Sequence, residues 1–218
     1  GNCTLPPLIF ENEIPFYLND FSCSGVSYIN KKRNTIPQVH NYDKTIHVFG
    51  GSTVWGTASI DKNTIPSLLQ KDLYDKKIRV INHGFPSVNI MQQFEILKQV
   101  TLDDNDIVIF YDGGNDFWQG VVYGNTEGTI IGYNIENKNL ILLYRIKSWL
   151  GQNSSFYNFL STIKNNRNEK PILCLAKPED LENNFLIAAD AYSNTIKNVQ
   201  EYLKEKNIKF FHFYQPTL

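Results

Sequence analysis

The stretch Ile46-His47-Val48-Phe49-Gly50-Gly51-Ser52-Thr53-Val54-Trp55-Gly56 decides how this chain folds. An apolar, β-type run from Ile46 to Phe49 stops at two glycines, and a serine follows at once. Such a strand end holds a serine hydroxyl at the carboxyl edge of a sheet, where open α/β sheets place their chemistry. Alone, Gly-Gly-Ser would be no more than a tight strand-to-helix turn. Two later segments give it a context, because each closes another expected strand. They are Asn82-His83-Gly84-Phe85-Pro86-Ser87 and Tyr111-Asp112-Gly113-Gly114-Asn115-Asp116.

Working outward, five strands are expected at Thr45–Phe49, Ile78–Asn82, Asp106–Tyr111, Ile172–Lys177 and Ile208–Tyr214. The middle three are continuous apolar runs, the pattern of strands covered on both faces. Helical periodicity lies between them. Ile65, Leu68, Leu69 and Leu73 share one face of Thr64–Leu73, and Ile90, Phe94 and Leu97 share one face of Ser87–Val100. The clearest helix is Phe185–Lys204, with Ala188, Tyr192, Ile196, Val199 and Leu203 at steps of three or four. Alternating strands and helices predict an α/β fold with a mostly parallel, five-stranded sheet and right-handed crossovers. Residues 1–44 are read as an extended leader packing on the domain, and 45–218 as a single α/β domain. An insertion at 117–165 carries Gly120, Gly124, Gly128 and Gly132 and the apolar helix Leu140–Leu150. Following directly on a catalytic-looking strand, it either shapes a substrate pocket or adds a packing layer.

The 218 residues suffice for one domain with a sizeable core. A net charge of −1 gives no electrostatic reason to expect nucleic acid or an anionic membrane as partner. No run of 18 apolar residues offers a membrane-spanning segment. No apolar region of a signal peptide follows Gly1, and composition leaves a cytoplasmic and an extracytoplasmic location both open. Cys3 and Cys23 can pair in an oxidising compartment, whereas Cys174, inside the apolar run Pro171–Ala176, reads as a buried small hydrophobe. The cysteine spacing matches no metal motif, and Asp103-Asp104-Asn105-Asp106 lacks the terminal glutamate of a calcium loop. Neither a metal nor a cofactor is expected.

Turns that follow consecutive parallel strands converge on one sheet edge. Ser52, Gly84 and Asn115 are therefore expected to meet, although they are far apart in sequence. Ser52 is the candidate nucleophile. A glycine lets a substrate oxygen reach its backbone N–H, and an asparagine amide adds a second donor. Donors aimed at a developing oxyanion are what acyl transfer needs, each worth on the order of 3 kcal/mol of barrier.

Gly50-Gly51-Ser52-Thr53, Gly84 and Gly113-Gly114-Asn115-Asp116 resemble blocks I, II and III of the SGNH (GDSL-type) hydrolases, with Gly51 where the GDSL name has aspartate. The resemblance covers roughly residues 45–118 and implies a flavodoxin-like three-layer αβα sandwich. It implies Ser52 as nucleophile and first oxyanion donor, with the Gly84 N–H and the Asn115 side chain completing the hole. Gly51, Trp55, Phe85, Asp116 and Phe117 are the further candidates for the substrate-binding surroundings, Asp116 by orienting the block III turn through backbone hydrogen bonds. The sequence departs from the family in one respect. No Asp-x-x-His, the block that supplies the general base, occurs among its residues; the histidines are His40, His47, His83 and His212. The resemblance places the base beyond Leu218.

The leading expectation is a serine esterase acting on a small-molecule or carbohydrate ester, with acetyl-like groups as the acyl part. The aromatics Trp55, Phe85, Trp118 and Tyr123 suit sugar faces. Alternatives are a non-catalytic carbohydrate- or ligand-binding module, an O-acyltransferase, and a phosphate-binding domain using Gly50–Thr53 as an anion cradle. The last is disfavoured because neither G-x-x-x-x-G-K-[ST] nor G-x-G-x-x-G is present.

Overall fold

The computed structural model describes residues 6, 8–11, 14–122 and 177–215. The expected strand at Ile172–Lys177, apart from Lys177 itself, lies outside them, as do Cys3, Cys174, Tyr123 and most of the 117–165 insertion.

The centre of the sheet is β6 (Lys44–Gly50), which is buried along nearly its whole length. It pairs in parallel with β7 (Ile78–Asn82) on one side and β8 (Ile107–Asp112) on the other. Strand β9 (Lys209–Tyr214) then pairs in parallel with β8, from Ile107↔Lys209 to Asp112↔Tyr214. The leader contributes more than a wrapping. Its first strands, β1 (Leu8–Glu11) and β2 (Ile14–Tyr17), form a separate hairpin. The antiparallel meander β3 (Phe21–Cys23), β4 (Val26–Ile29) and β5 (Lys32–Arg33) joins the main sheet through Arg33↔Asn82. The described sheet thus has seven strands in the order β3-β4-β5-β7-β6-β8-β9, four of them parallel, against the five expected.

Helices cover both faces, giving the expected αβα layering. Helix α1 (Ser52–Trp55) and α2 (Ile65–Asp72) lie on one face, where Val54, Leu69 and Leu73 pack on Ile46, Val48 and Val80. On the other face, α3 (Ile90–Lys98) sits beside the 25-residue α5 (Leu181–Glu205), with α4 the short turn Gly114–Asp116 between them in sequence. There Leu97, Val199 and Leu203 close over Phe49, Val108 and Phe110, all fully buried. Helix α2 lies where expected, and Thr64 caps it by accepting from Ser67 N. Its expected face is only partly buried: Leu69 and Leu73 pack on the sheet, while Ile65 and Leu68 are exposed and Ser67 and Gln70 are buried. Helix α3 starts later than Ser87. Ser87 sits at φ 64, and Asn89 with Gln92 forms a reciprocal capping box before Ile90.

The leader meander is fixed by a buried ion pair. Arg33 Nε lies 2.6 Å from Asp61 Oδ1, with side chains 1% and 4% exposed, and Arg33 Nη2 also donates to Ser59 O. Cys23 in β3 is disulfide-bonded.

Candidate active site

Ser52 stands where the sequence places it, in the first turn of α1 directly after β6. Gly51 caps this turn, and Gly56, at φ 83, ends it. First-turn N–H groups of a helix have no intrahelical acceptor, so Ser52 N–H is open to a ligand. The turn after β8 approaches from the neighbouring strand. Gly113 adopts φ 108, and a Cβ there would strike the Tyr214 ring. Asn115 follows, and its Nδ2 donates to Val88 O at 2.7 Å. An asparagine amide carries two hydrogens, so one remains for substrate.

Gly51, Ser52, Thr53, Val88, Asn115 and Trp118 are among the residues lining a cleft of about 390 Å³. The end of β9 closes it. Gln215 accepts from Thr53 Oγ1 at 3.2 Å, and its N–H donates to Asp112 O at 2.6 Å. Trp118 is 53% exposed at this wall, with Phe117 edge-on behind it.

Five expected members, Gly84, Trp55, Phe85, Asp116 and Phe117, do not line the cleft. The Gly84 N–H donates to Asn82 Oδ1 at 2.9 Å, and Gly84 does not line the Ser52 cleft. It lies against the back of α1, where a Cβ would come within 2.5 Å of Trp55 N and 2.8 Å of Val54 Cγ1. This position needs glycine for helix-to-turn approach rather than for access to substrate. Trp55 and Phe85, 6% and 5% exposed, pack with Tyr17 and Tyr28 in an aromatic cluster under the leader. They present no face to the cleft.

Asp116 is also turned away from the cleft. Its Oδ1 accepts from Ile90 N at 2.8 Å, which ties the β8 turn to the start of α3. Burial, the larger cause, and the nearby Asp112 push its carboxyl up to about 7, and Oδ2 is buried without a hydrogen-bond partner.

Several polar residues carry no strong signal in the sequence. Asn82 does two jobs: its Oδ1 holds Gly84 N, and its Nδ2 donates to Val54 O at 2.9 Å. Gln119 donates to Ser87 O and accepts from Asn89 Nδ2, bracing the β7 turn. An asparagine closing an apolar strand is the available signal for the first; the second has no local signature. Ser87 holds a left-handed backbone conformation beside the cleft residue Val88. Its N–H has no partner among the described residues.

His40 is exposed, and the other three histidines are engaged with neighbouring side chains. His212 Nε2 lies 2.7 Å from Tyr192 OH and 3.3 Å from Asp112 Oδ1, and Tyr192 OH donates to the same Asp112 oxygen. Burial raises the Tyr192 hydroxyl above its ordinary value, and Asp112 adds to this, so it acts as a neutral donor. His47 Nδ1 meets His83 Nε2 at 2.9 Å, and His47 Nε2 meets Asp106 Oδ2 at 3.2 Å. Burial lowers both His47 and His83, with His83 well below the ordinary imidazole value. Among the described residues no histidine lines the Ser52 cleft.

No protein-family model matches the sequence, and no curated protein matches it. Among solved structures it is similar to AlinE4, a SGNH-hydrolase family esterase, at 22% identity and a TM-score of 0.33. That match covers 39% of this chain and 48% of the esterase, about half its length. A lipolytic G-D-S-L family protein from Veillonella parvula matches over 78% of each chain, at 14% identity and a TM-score of 0.34. A substituted form of AlinE4 gives 19% identity and a TM-score of 0.33, over 72% of this chain and 96% of that one. At scores this low the likeness carries no functional weight, and the chain's own residues must supply it.

Proposed function

We propose that this chain carries the nucleophile and oxyanion-binding part of a SGNH-type serine esterase acting on small acyl esters. One observation supports this above the others: Ser52 and Asn115, from turns after adjacent parallel strands, line one cleft with donors still open. Ser52 Oγ attacks the ester carbonyl. Ser52 N–H and the second Asn115 Nδ2 hydrogen stabilise the oxyanion, worth on the order of 3 kcal/mol each. Asp116 is a positioning residue that holds Asn115's turn against α3. A serine hydroxyl needs a base, and the family resemblance assigns it to an Asp-x-x-His absent from these 218 residues. Trp118, half exposed on the cleft wall, favours an acetylated carbohydrate as substrate, since a sugar face packs on an aromatic ring.

The second reading, a carbohydrate-binding module without turnover, is favoured by the lack of a cleft-lining histidine among the described residues. Treatment with a fluorophosphonate and intact-mass measurement distinguishes the two. A single adduct lost in Ser52→Ala supports the esterase. An unlabelled protein that still binds acetylated oligosaccharide supports the module.

A further inference from the structure

A second cavity, of about 350 Å³, lies under the leader hairpin and shares no wall residue with the Ser52 cleft. Its floor is the sheet face onto which Arg79 and Ile81 alternate from β7 and His47 from β6, in register with Ile81. Lys31 and Lys32, from the tight turn into β5, form one side, and Ile14–Phe16 of β2 form the roof. Lys31 Nζ sits 3.9 Å from the Phe16 ring centre.

The charge of this cavity is one-sided. Among the described residues no aspartate or glutamate lines it. Asp106, bonded to the wall residue His47, already receives the backbone N–H groups of Thr45 and Asp103. The Lys32 side chain, half-buried, has no hydrogen bond or ion pair among the described residues, and burial with the nearby Arg79 lowers its pKa. The Arg79 guanidinium stacks over Tyr42 at 3.9 Å and donates from Nη2 to Thr45 Oγ1. Its Nε is buried with no acceptor. An uncompensated buried donor on a cation is costly, and a neighbouring lysine adds repulsion. A bound oxyanion would satisfy both.

We propose that this cavity is a binding site for a small molecule bearing a phosphate-type oxyanion, with Arg79 and Lys32 as its charge partners. Arginine presents paired donors that suit tetrahedral oxyanions, and lysine supplies a point charge beside them. The cavity leaves room for more than the anion itself, so an organic phosphate fits as well as the free ion.

The test is calorimetric titration of the 218-residue protein with inorganic phosphate and, separately, glucose 6-phosphate, at ionic strength held constant with chloride. Saturable binding is expected, weakened roughly tenfold or more in Lys32→Gln, as loss of one charge-assisted contact implies. Arg79→Gln should weaken it too. Lys32→Gln, on a half-exposed side chain, guards against misfolding of the Arg79 variant. Ser52→Ala should bind like the parent protein. Tighter binding of glucose 6-phosphate identifies an organic phosphate, and equal binding identifies the free ion. No saturable heat with either probe, binding unchanged in Lys32→Gln, or binding lost in Ser52→Ala would overturn the proposal.

Discussion

Asn115 Nδ2 donates to the carbonyl of Val88 at 2.7 Å, so the turn after β8 is fastened to the turn after β7. The same bond aims the amide across Gly51, where an added Cβ would run into Asn115 Nδ2. Nucleophile turn and donor are thus set against each other by one side chain and one missing side chain.

In a form of the protein that turns over ester, Asn115→Ala should lower kcat roughly 10²–10³-fold with little change in KM, because an oxyanion donor acts on the transition state. Steady-state kinetics on an aryl acetate checks this. A rise in KM alone would remove Asn115 from the oxyanion hole.

Gly51→Ala should produce a similar loss by a different route, displacing Asn115 while the fold persists. A melting curve close to the parent's, together with lost fluorophosphonate labelling, is the expected pair of results.

Gly84→Ala should instead strike the fold. Its Cβ would collide with the α1 backbone at Trp55, and overpacking of this kind costs about 1–3 kcal/mol or more. Urea denaturation should show a lowered midpoint. Unaltered stability with reduced kcat would return Gly84 to the substrate side.

Asp116 makes the pH dependence of stability specific. Its folded value of about 7 stands above the ordinary 3.8, so between these the native state binds a proton that the unfolded chain has released. Its contribution is present below pH 3.8 and lost as pH rises through about 7. A tenfold difference in proton affinity between the folded and unfolded chain corresponds to about 1.4 kcal/mol. Asp116→Asn keeps an acceptor for Ile90 N and does not titrate. Compared with the parent, it should gain melting temperature between pH 5 and pH 8. His47 and His83, lowered by burial, favour stability as pH rises instead, and they act equally in both proteins. An unchanged difference across that interval would show that Asp116 is not held neutral.

Removing Asp61 should release the leader. Asp61→Ala leaves the Arg33 guanidinium buried without its partner, a change worth about 3–5 kcal/mol. Thermal unfolding measures the loss.

Much of this architecture was legible in the residues themselves. Apolar runs over 78–82 and 106–111 point to parallel strands covered on both faces, because only two-sided burial tolerates them. The steps of three and four in α3 and α5 follow from helical geometry, and the convergence of Ser52 with Asn115 follows from strands that are adjacent and parallel. Tertiary packing decided the rest. Apolar content shows that Trp55 and Phe85 are available for burial, but the docking of Tyr17 and Tyr28 from the leader turned them inward. The β3–β5 meander joins the sheet through one pairing and one ion pair, Arg33 with Asp61, which lie 28 positions apart in the chain. Gly84 reads as an oxyanion residue until Asn82 Oδ1 is seen to hold its N–H. Hydrophobic periodicity is a property of neighbours along the chain, whereas the partner of a turn N–H is settled by whichever distant group reaches it when the layers close.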